Sequence, residues 1–159
     1  MICKFPKKKY RIIYADPAWT FKTYSQKGKN RSAEKHYNCM TIQDIYNLPV
    51  QSISDDNCIL FIWVVDPMLP EAIKTIESWG FQYKTVAFTW IKSNKTKGFF
   101  TGMGYWTRAN PEMCLLATKG KTTRLSKAVK QLIISKRREH SRKPDEIRNR
   151  IIKLVGDLP

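Results

Sequence analysis

The chain has 159 residues, the span of one domain, and 42% of them are hydrophobic, which is enough to bury a core and excludes wholesale disorder. Its 29 Lys and Arg against 13 Asp and Glu give a formal net charge of +16, which favours a polyanionic partner, nucleic acid being the commonest. The four cysteines contain no C-x-x-C pair and there are two histidines, so a metal site has no support; no apolar stretch is long enough for a signal peptide or a membrane helix, and the expected location is cytoplasmic, without a membrane partner.

In chain order, Arg11–Ala15 is a β-branched apolar run that stops at Asp16-Pro17, the pattern of a buried strand. Residues 22–38 are polar, basic and aperiodic and read as a long loop, a kind that is usually functional or disordered. Thr41 opens a short helical pattern through Ile42 and Ile45, and Pro49 lies beyond its end. Residues 58–65, CILFIWVV, are continuously apolar, as suits a strand covered on both faces. A helix is predicted from about Leu69 to Trp79, with Gly80 as its stop. Strands follow at Thr85–Ile91, at Met113–Thr118 and, more weakly, at Gln131–Ser135, with a second long loop over 92–111. The final helix begins at Pro144, has Asp145 and Glu146 at its positive end, and carries an apolar stripe of Ile147, Ile151 and Leu154. This alternation predicts a single α/β domain with a mainly parallel sheet, and in such sheets ligands bind at the carboxyl ends of the strands.

Asp16-Pro17-Ala18-Trp19 therefore falls where a site belongs. Pro17 has a fixed φ and no N–H, so the turn is stiff and can present carbonyls outward. Asp16 supplies a carboxylate acceptor. An amine that gives one hydrogen to Asp16 and another to a backbone carbonyl has its lone pair held in one direction. Trp19 offers an aromatic face for a base, worth ~1–3 kcal/mol. The competing reading is structural: Asp-Pro starts many turns, and Trp19 is core.

The segments YADPAW, HYNCMTIQDI, ILFIWVV, TWIKSN, GMGYWTRANPEMCLLATKGK and REHSRKPDEI extend over about residues 11–155. In order and spacing they resemble the DPPW-motif, MT-A70-like adenine-N6 methyltransferases, and the GYWTRANPE form is more similar to the phage and bacterial branch. The resemblance implies a Rossmann-like S-adenosylmethionine-dependent methyltransferase fold and methyl transfer to the exocyclic amine of adenine in nucleic acid, DNA before RNA. It implies that Asp16, Pro17 and Trp19 are catalytic, and that Asp16, Ala18 and Lys143 meet the donor. Trp19, Tyr37, Trp90, Lys92, Glu112, Ser141 and Lys143 then meet the acceptor.

Each of these has a plainer alternative. Tyr37 packs on the surface, Glu112 pairs with Arg108, Lys143 is solvated, and Trp90 belongs to the core. Trp63, Trp79 and Phe61 are assigned to the core, and His36 and His140 to phosphate contact or to satisfied loop positions. Ala18 stands where the family has a second proline. Family members continue after the last helix into a strand that contacts the donor, and Gly156–Pro159 occupies the place where that strand begins. The reading therefore expects a C-terminally truncated domain with weak donor binding, an open sheet edge and a tendency to form homo- or hetero-oligomers. A nucleic-acid-binding domain without catalysis is the alternative function.

Overall fold

The computed structural model describes residues 5–20, 40–139 and 142–159. Five strands form one sheet: β1 (Tyr10–Ala15), β2 (Ser54–Val64), β3 (Gln82–Ser93), β4 (Glu112–Lys119) and β5 (Leu132–Lys136). The helices are α1 (Ile42–Tyr46), α2 (Leu69–Ser78) and α3 (Glu146–Val155).

Local chemistry accounts for the helix ends. Thr41 accepts the Asp44 amide through its hydroxyl at 3.1 Å, and its own amide donates to the Asp44 carboxylate at 3.3 Å, a capping box that starts α1. Gly80, at φ +82°, ends α2 where an L side chain would be strained. The Trp79 indole then ties α2 to α1 by donating to the Ile45 carbonyl at 2.9 Å. Helix α3 starts at Glu146, two residues after Pro144, because the Pro144 carbonyl already accepts the Ile147 amide in a tight turn.

The strand order is β1-β2-β4-β3-β5. β1 is parallel to β2 and β3 to β5, whereas β4 runs antiparallel to both β2 and β3. The α/β class is as the sequence predicts, but the sheet is mixed rather than mainly parallel. A continuous apolar run reports burial on two faces and carries no record of strand direction.

The apolar run of β2 is explained by what covers it. Leu60, Ile62 and Val64 pack with Ile45, Ala72 and Ile76 of α1 and α2. Ile59, Phe61 and Trp63 face the other way, toward Ile147, Ile151 and Val155 of α3. Successive residues of a strand point to opposite faces, so a strand buried between two layers needs apolar residues at every position. Beyond α3, Gly156 turns the chain at φ +97°, and the Pro159 carbonyl accepts the amides of Arg11 and Ile12 along β1, an edge strand. Among the described residues no helix is long and apolar enough to cross a membrane.

Candidate active site

Because β4 runs against its neighbours, one rim of the sheet gathers the carboxyl ends of β1, β2, β3 and β5 and the amino end of β4. Four charged side chains meet on it. Asp16 follows β1, Lys92 lies near the end of β3, Glu112 opens β4, and Lys143 comes from the connection between β5 and α3. The Lys143 ammonium is 3.2 Å from Asp16 Oδ2 and 3.0 Å from Glu112 Oε2. The Lys92 ammonium is 2.6 Å from Glu112 Oε1. The result is a neutral row of alternating sign, Lys92–Glu112–Lys143–Asp16. Three of its members are largely withdrawn from water, at 17%, 19% and 12% side-chain exposure for Lys92, Glu112 and Lys143, and Asp16 is the open end at 38%.

Burial and neighbours set the ionisation of the row. Burial alone would raise the Glu112 pKa, but the two lysines outweigh it and hold the carboxyl below its ordinary value. Burial alone would lower Lys143, and Glu112 and Asp16 outweigh it, so the ammonium is held above its ordinary value. Asp16 goes the other way: desolvation exceeds the help it receives from Lys143, and its carboxyl is raised. With Asp16 partly open to water the rise is moderated by solvent. Asp16 is thus the least satisfied carboxylate of the row. Its Oδ2 takes the lysine, and its Oδ1 receives no bond from the described residues.

Aromatic residues form the floor. The Lys143 ammonium lies 5.4 Å from the centre of the Trp63 ring, and the Lys92 ammonium 5.5 Å from that of Trp90, both within cation–π range. The Trp63 indole donates to the Tyr14 hydroxyl at 2.7 Å, and burial pushes the Tyr14 phenol up to about 12. The Trp63 carbonyl accepts the Trp19 indole N–H at 2.8 Å. In the turn itself the Pro17 carbonyl accepts the Trp19 amide at 2.9 Å, which leaves that oxygen a second lone pair. Ala18 is half-buried in the same turn.

Two sequence expectations are corrected here. Trp19 is 5% exposed and packs in the core under the turn, so it braces Asp16 instead of offering a free stacking face. Trp90 is 4% exposed, edge-on to Trp63, with its N–H directed at the Ser135 carbonyl. It supports Lys92 from below, with its ring withdrawn from the surface. In both cases the indole N–H finds a buried carbonyl, so the whole ring can be withdrawn from water without an unpaired donor. Glu112 pairs with the two lysines, while Arg108 donates to the Gly102 carbonyl. Tyr37, Ser141, His36 and His140 lie outside the described residues.

Asn110 joins the site although its residue type alone does not mark it. Its side chain accepts the Lys92 amide at 2.8 Å and donates to the Lys92 carbonyl at 2.9 Å, fixing the backbone from which Lys92 reaches Glu112. Its place in Ala109-Asn110-Pro111-Glu112 is visible in the sequence, but a side chain closing on a strand distant along the chain is not. Two apolar grooves, of about 420 and 460 Å³, lie elsewhere, one beneath α3 and one along β1, and neither is lined by any member of the charged row. Among the described residues no cluster of His, Cys, Asp and Glu could hold a metal ion.

A mixed α/β sheet covered on both faces, with its polar site on one rim, agrees with the fold of the S-adenosylmethionine methyltransferases, to which the family match assigns the chain. Within that class the chain belongs to the MT-A70 family, which it matches over residues 10–158. It is 35% identical to the type II methyltransferase M.MunI of Mycoplasma sp, over 98% of this chain and 71% of the relative. It is 28% identical to the N(6)-adenosine-methyltransferase MT-A70-like protein of Drosophila melanogaster, over 87% of this chain. A third relative, the N6-adenosine-methyltransferase non-catalytic subunit MTB of Arabidopsis thaliana, is 30% identical over 73% of this chain. The chain spans 21% and 15% of the length of the fly and plant proteins.

Proposed function

We propose that this protein transfers a methyl group from S-adenosylmethionine to the N6 amine of adenine in nucleic acid, with DNA preferred to RNA. The observation that carries the reading is the row ending on Asp16, a carboxylate beside a stiff turn and a buried ammonium, with one oxygen that takes no bond from the described residues. The preference for DNA rests on the comparisons: the type II methyltransferase matches nearly the whole chain, and the adenosine-named fly relative matches at lower identity.

The residues fit the donor. S-adenosylmethionine carries a carboxylate, an ammonium and a sulfonium, and the rim offers both an ammonium at Lys143 and a carboxylate at Asp16. When bound, the donor supplies an electrophilic methyl on sulfur. The protein's own work is positioning. Asp16 Oδ1 accepts one hydrogen of the adenine amine, and the second lone pair of the Pro17 carbonyl accepts the other. The nitrogen lone pair is then directed away from the turn. Lys143 keeps the carboxylate fixed, and Glu112 keeps Lys143 charged and in place. Methylation leaves the nitrogen with a proton to shed. Oδ1 is in position to take it, and the raised pKa of Asp16 makes this carboxylate a better acceptor than a fully solvated one. The +16 charge supplies the attraction to phosphate.

A second reading is favoured by the similarity to a relative named a non-catalytic subunit. In it the domain binds nucleic acid, alone or beside another chain, and transfers nothing. Labelled donor incubated with an adenine-containing duplex separates the two. Methyl recovered as N6-methyladenine supports the enzyme. The binding module predicts no incorporation but duplex binding that weakens with salt, by about 0.9 in log K per log salt for each phosphate neutralised.

A further inference from the structure

The protein has five tryptophans, and four are buried at 5% exposure or less. Each of the four gives its indole N–H to a partner inside the fold: the Trp63 carbonyl, the Tyr14 hydroxyl, the Ile45 carbonyl and the Ser135 carbonyl. Trp106 is 103% exposed. A chain that has satisfied every other indole in its interior leaves this one wholly in water.

The backbone beneath Trp106 is also unusual. Its φ is +64°, and it is the one non-glycine residue with positive φ among the described residues. The Thr107 amide donates to the Tyr105 carbonyl at 2.7 Å, so Trp106 is the central residue of a three-residue turn that is rare and strained for a bulky side chain. Such strain persists where the surroundings enforce it, and here they do. The Gly102 amide donates to the Ala109 carbonyl at 2.7 Å, and Arg108 Nε donates to the Gly102 carbonyl at 2.8 Å. A Cβ on Gly104 would lie 2.2 Å from the Thr107 carbonyl oxygen, so only glycine allows the two sides of the loop to close.

The foot of this loop is the candidate site. Asn110 locks it to the backbone of Lys92, and Glu112 follows two residues later in the charged row. Cations flank it: Arg108 in the loop, and Arg137 with its guanidinium 3.7 Å from the centre of the Phe100 ring. A rigid loop with basic sides, an exposed flat ring at its tip and its base on the rim matches nucleic acid in both charge and shape. Enzymes that act on a base must take it out of the stack, and the gap left behind needs filling.

We propose that Trp106 stacks on a base of the bound nucleic acid and holds the stack open while adenine is drawn to Asp16. The inference rests on the methyltransferase reading for the destination of the adenine, but the stacking stands on its own.

The test follows tryptophan emission and fluorescence polarisation of the full chain during titration with a labelled adenine-containing DNA duplex. The parent's exposed-indole emission is quenched along the same curve as duplex binding. Trp106→Ala lacks the quench and binds the duplex at least tenfold more weakly, equivalent to about 1.4 kcal/mol. Trp106→Phe regains affinity to within threefold of the parent. Thermal midpoints of both variants match or exceed that of the parent, since no buried contact is lost. Unquenched parental emission, or parental affinity in Trp106→Ala, overturns the proposal. Methyl transfer measured in the same samples separates the two ideas: transfer by a Trp106→Ala variant of parental affinity sinks the stacking alone, and quenching without transfer by the parent sinks the enzyme alone.

Discussion

The two ends of the same strands treat charge in opposite ways. At the carboxyl end of β1 and the amino end of β4, Asp16, Glu112 and Lys143 are drawn together and three of the four row members are largely buried. At the other end of β2, Asp55 and Asp56 stand in or near solvent, and no ion pair joins them to the described residues. Burying charge is unfavourable unless each group is paired, and an apolar residue in its place is often as stable. A fold that meets this penalty at one end of its sheet and avoids it at the other marks the first end as the place where the charges are used.

The largest effect expected on breaking this contrast comes from Lys143→Met. Asp16 and Glu112 lose the cation between them, and methyl transfer falls at least a hundredfold. Steady-state kinetics with the purified variant would show it, and a loss under tenfold would remove Lys143 from the site.

Next is Glu112→Ala, which leaves two ammonium groups facing each other in partly buried surroundings. Removing one partner of a fully buried pair costs about 3–5 kcal/mol; with this degree of exposure we expect about 2–3 kcal/mol. Urea unfolding of Glu112→Ala and Glu112→Gln would measure it, the amide being the milder change.

The pH dependence sharpens the contrast between Asp16 and Glu112. The folded pKa of Glu112 lies below its ordinary 4.5, so its contribution to stability is present above that value and is lost as pH falls through the folded one. Asp16 is raised above its ordinary 3.8. Activity that needs the ionised Asp16 is therefore lost first on acidification, while the fold persists to lower pH. Rates and unfolding midpoints measured across the acid range should separate in that order. For Lys143→Met the acid limb of the rate profile moves upward, because the cation that lowers Asp16 is gone.

The smallest effect is Tyr14→Phe, which leaves Trp63 in place under Lys143 and deletes only the hydroxyl that accepts its N–H. Stability should fall by about 1 kcal/mol, read from chemical denaturation.

Much of the fold was legible in the sequence because its signals are local. The unbroken apolar run of β2, the Thr41–Asp44 cap and the Ile147/Ile151 stripe each follow from residues a few positions apart. Strand direction was not legible, since β4 lies between β2 and β3 with the same apolar character whichever way it runs. Asp16 stood out on its own chemistry, as a carboxylate after a buried strand. Glu112 and Lys143 were reached through family resemblance, because nothing in single residues far apart in the chain announces that they will meet. The choice between site and core for Trp19 and Trp90 is hidden for a related reason. A tryptophan at a strand end reads the same whether its ring turns outward to a ligand or inward to a carbonyl, and here both turned inward.

The central claim is that the rim ending on Asp16 is where methyl transfer occurs. The most direct test compares Asp16→Asn with Asp56→Asn at the opposite end of the sheet, measuring methyl incorporated from labelled S-adenosylmethionine into an adenine-containing duplex. Asp16→Asn should lose activity at least a hundredfold with an unchanged thermal midpoint, and Asp56→Asn should keep parental activity. Asp16→Asn activity within tenfold of the parent, or equal losses in the two variants, would contradict the claim.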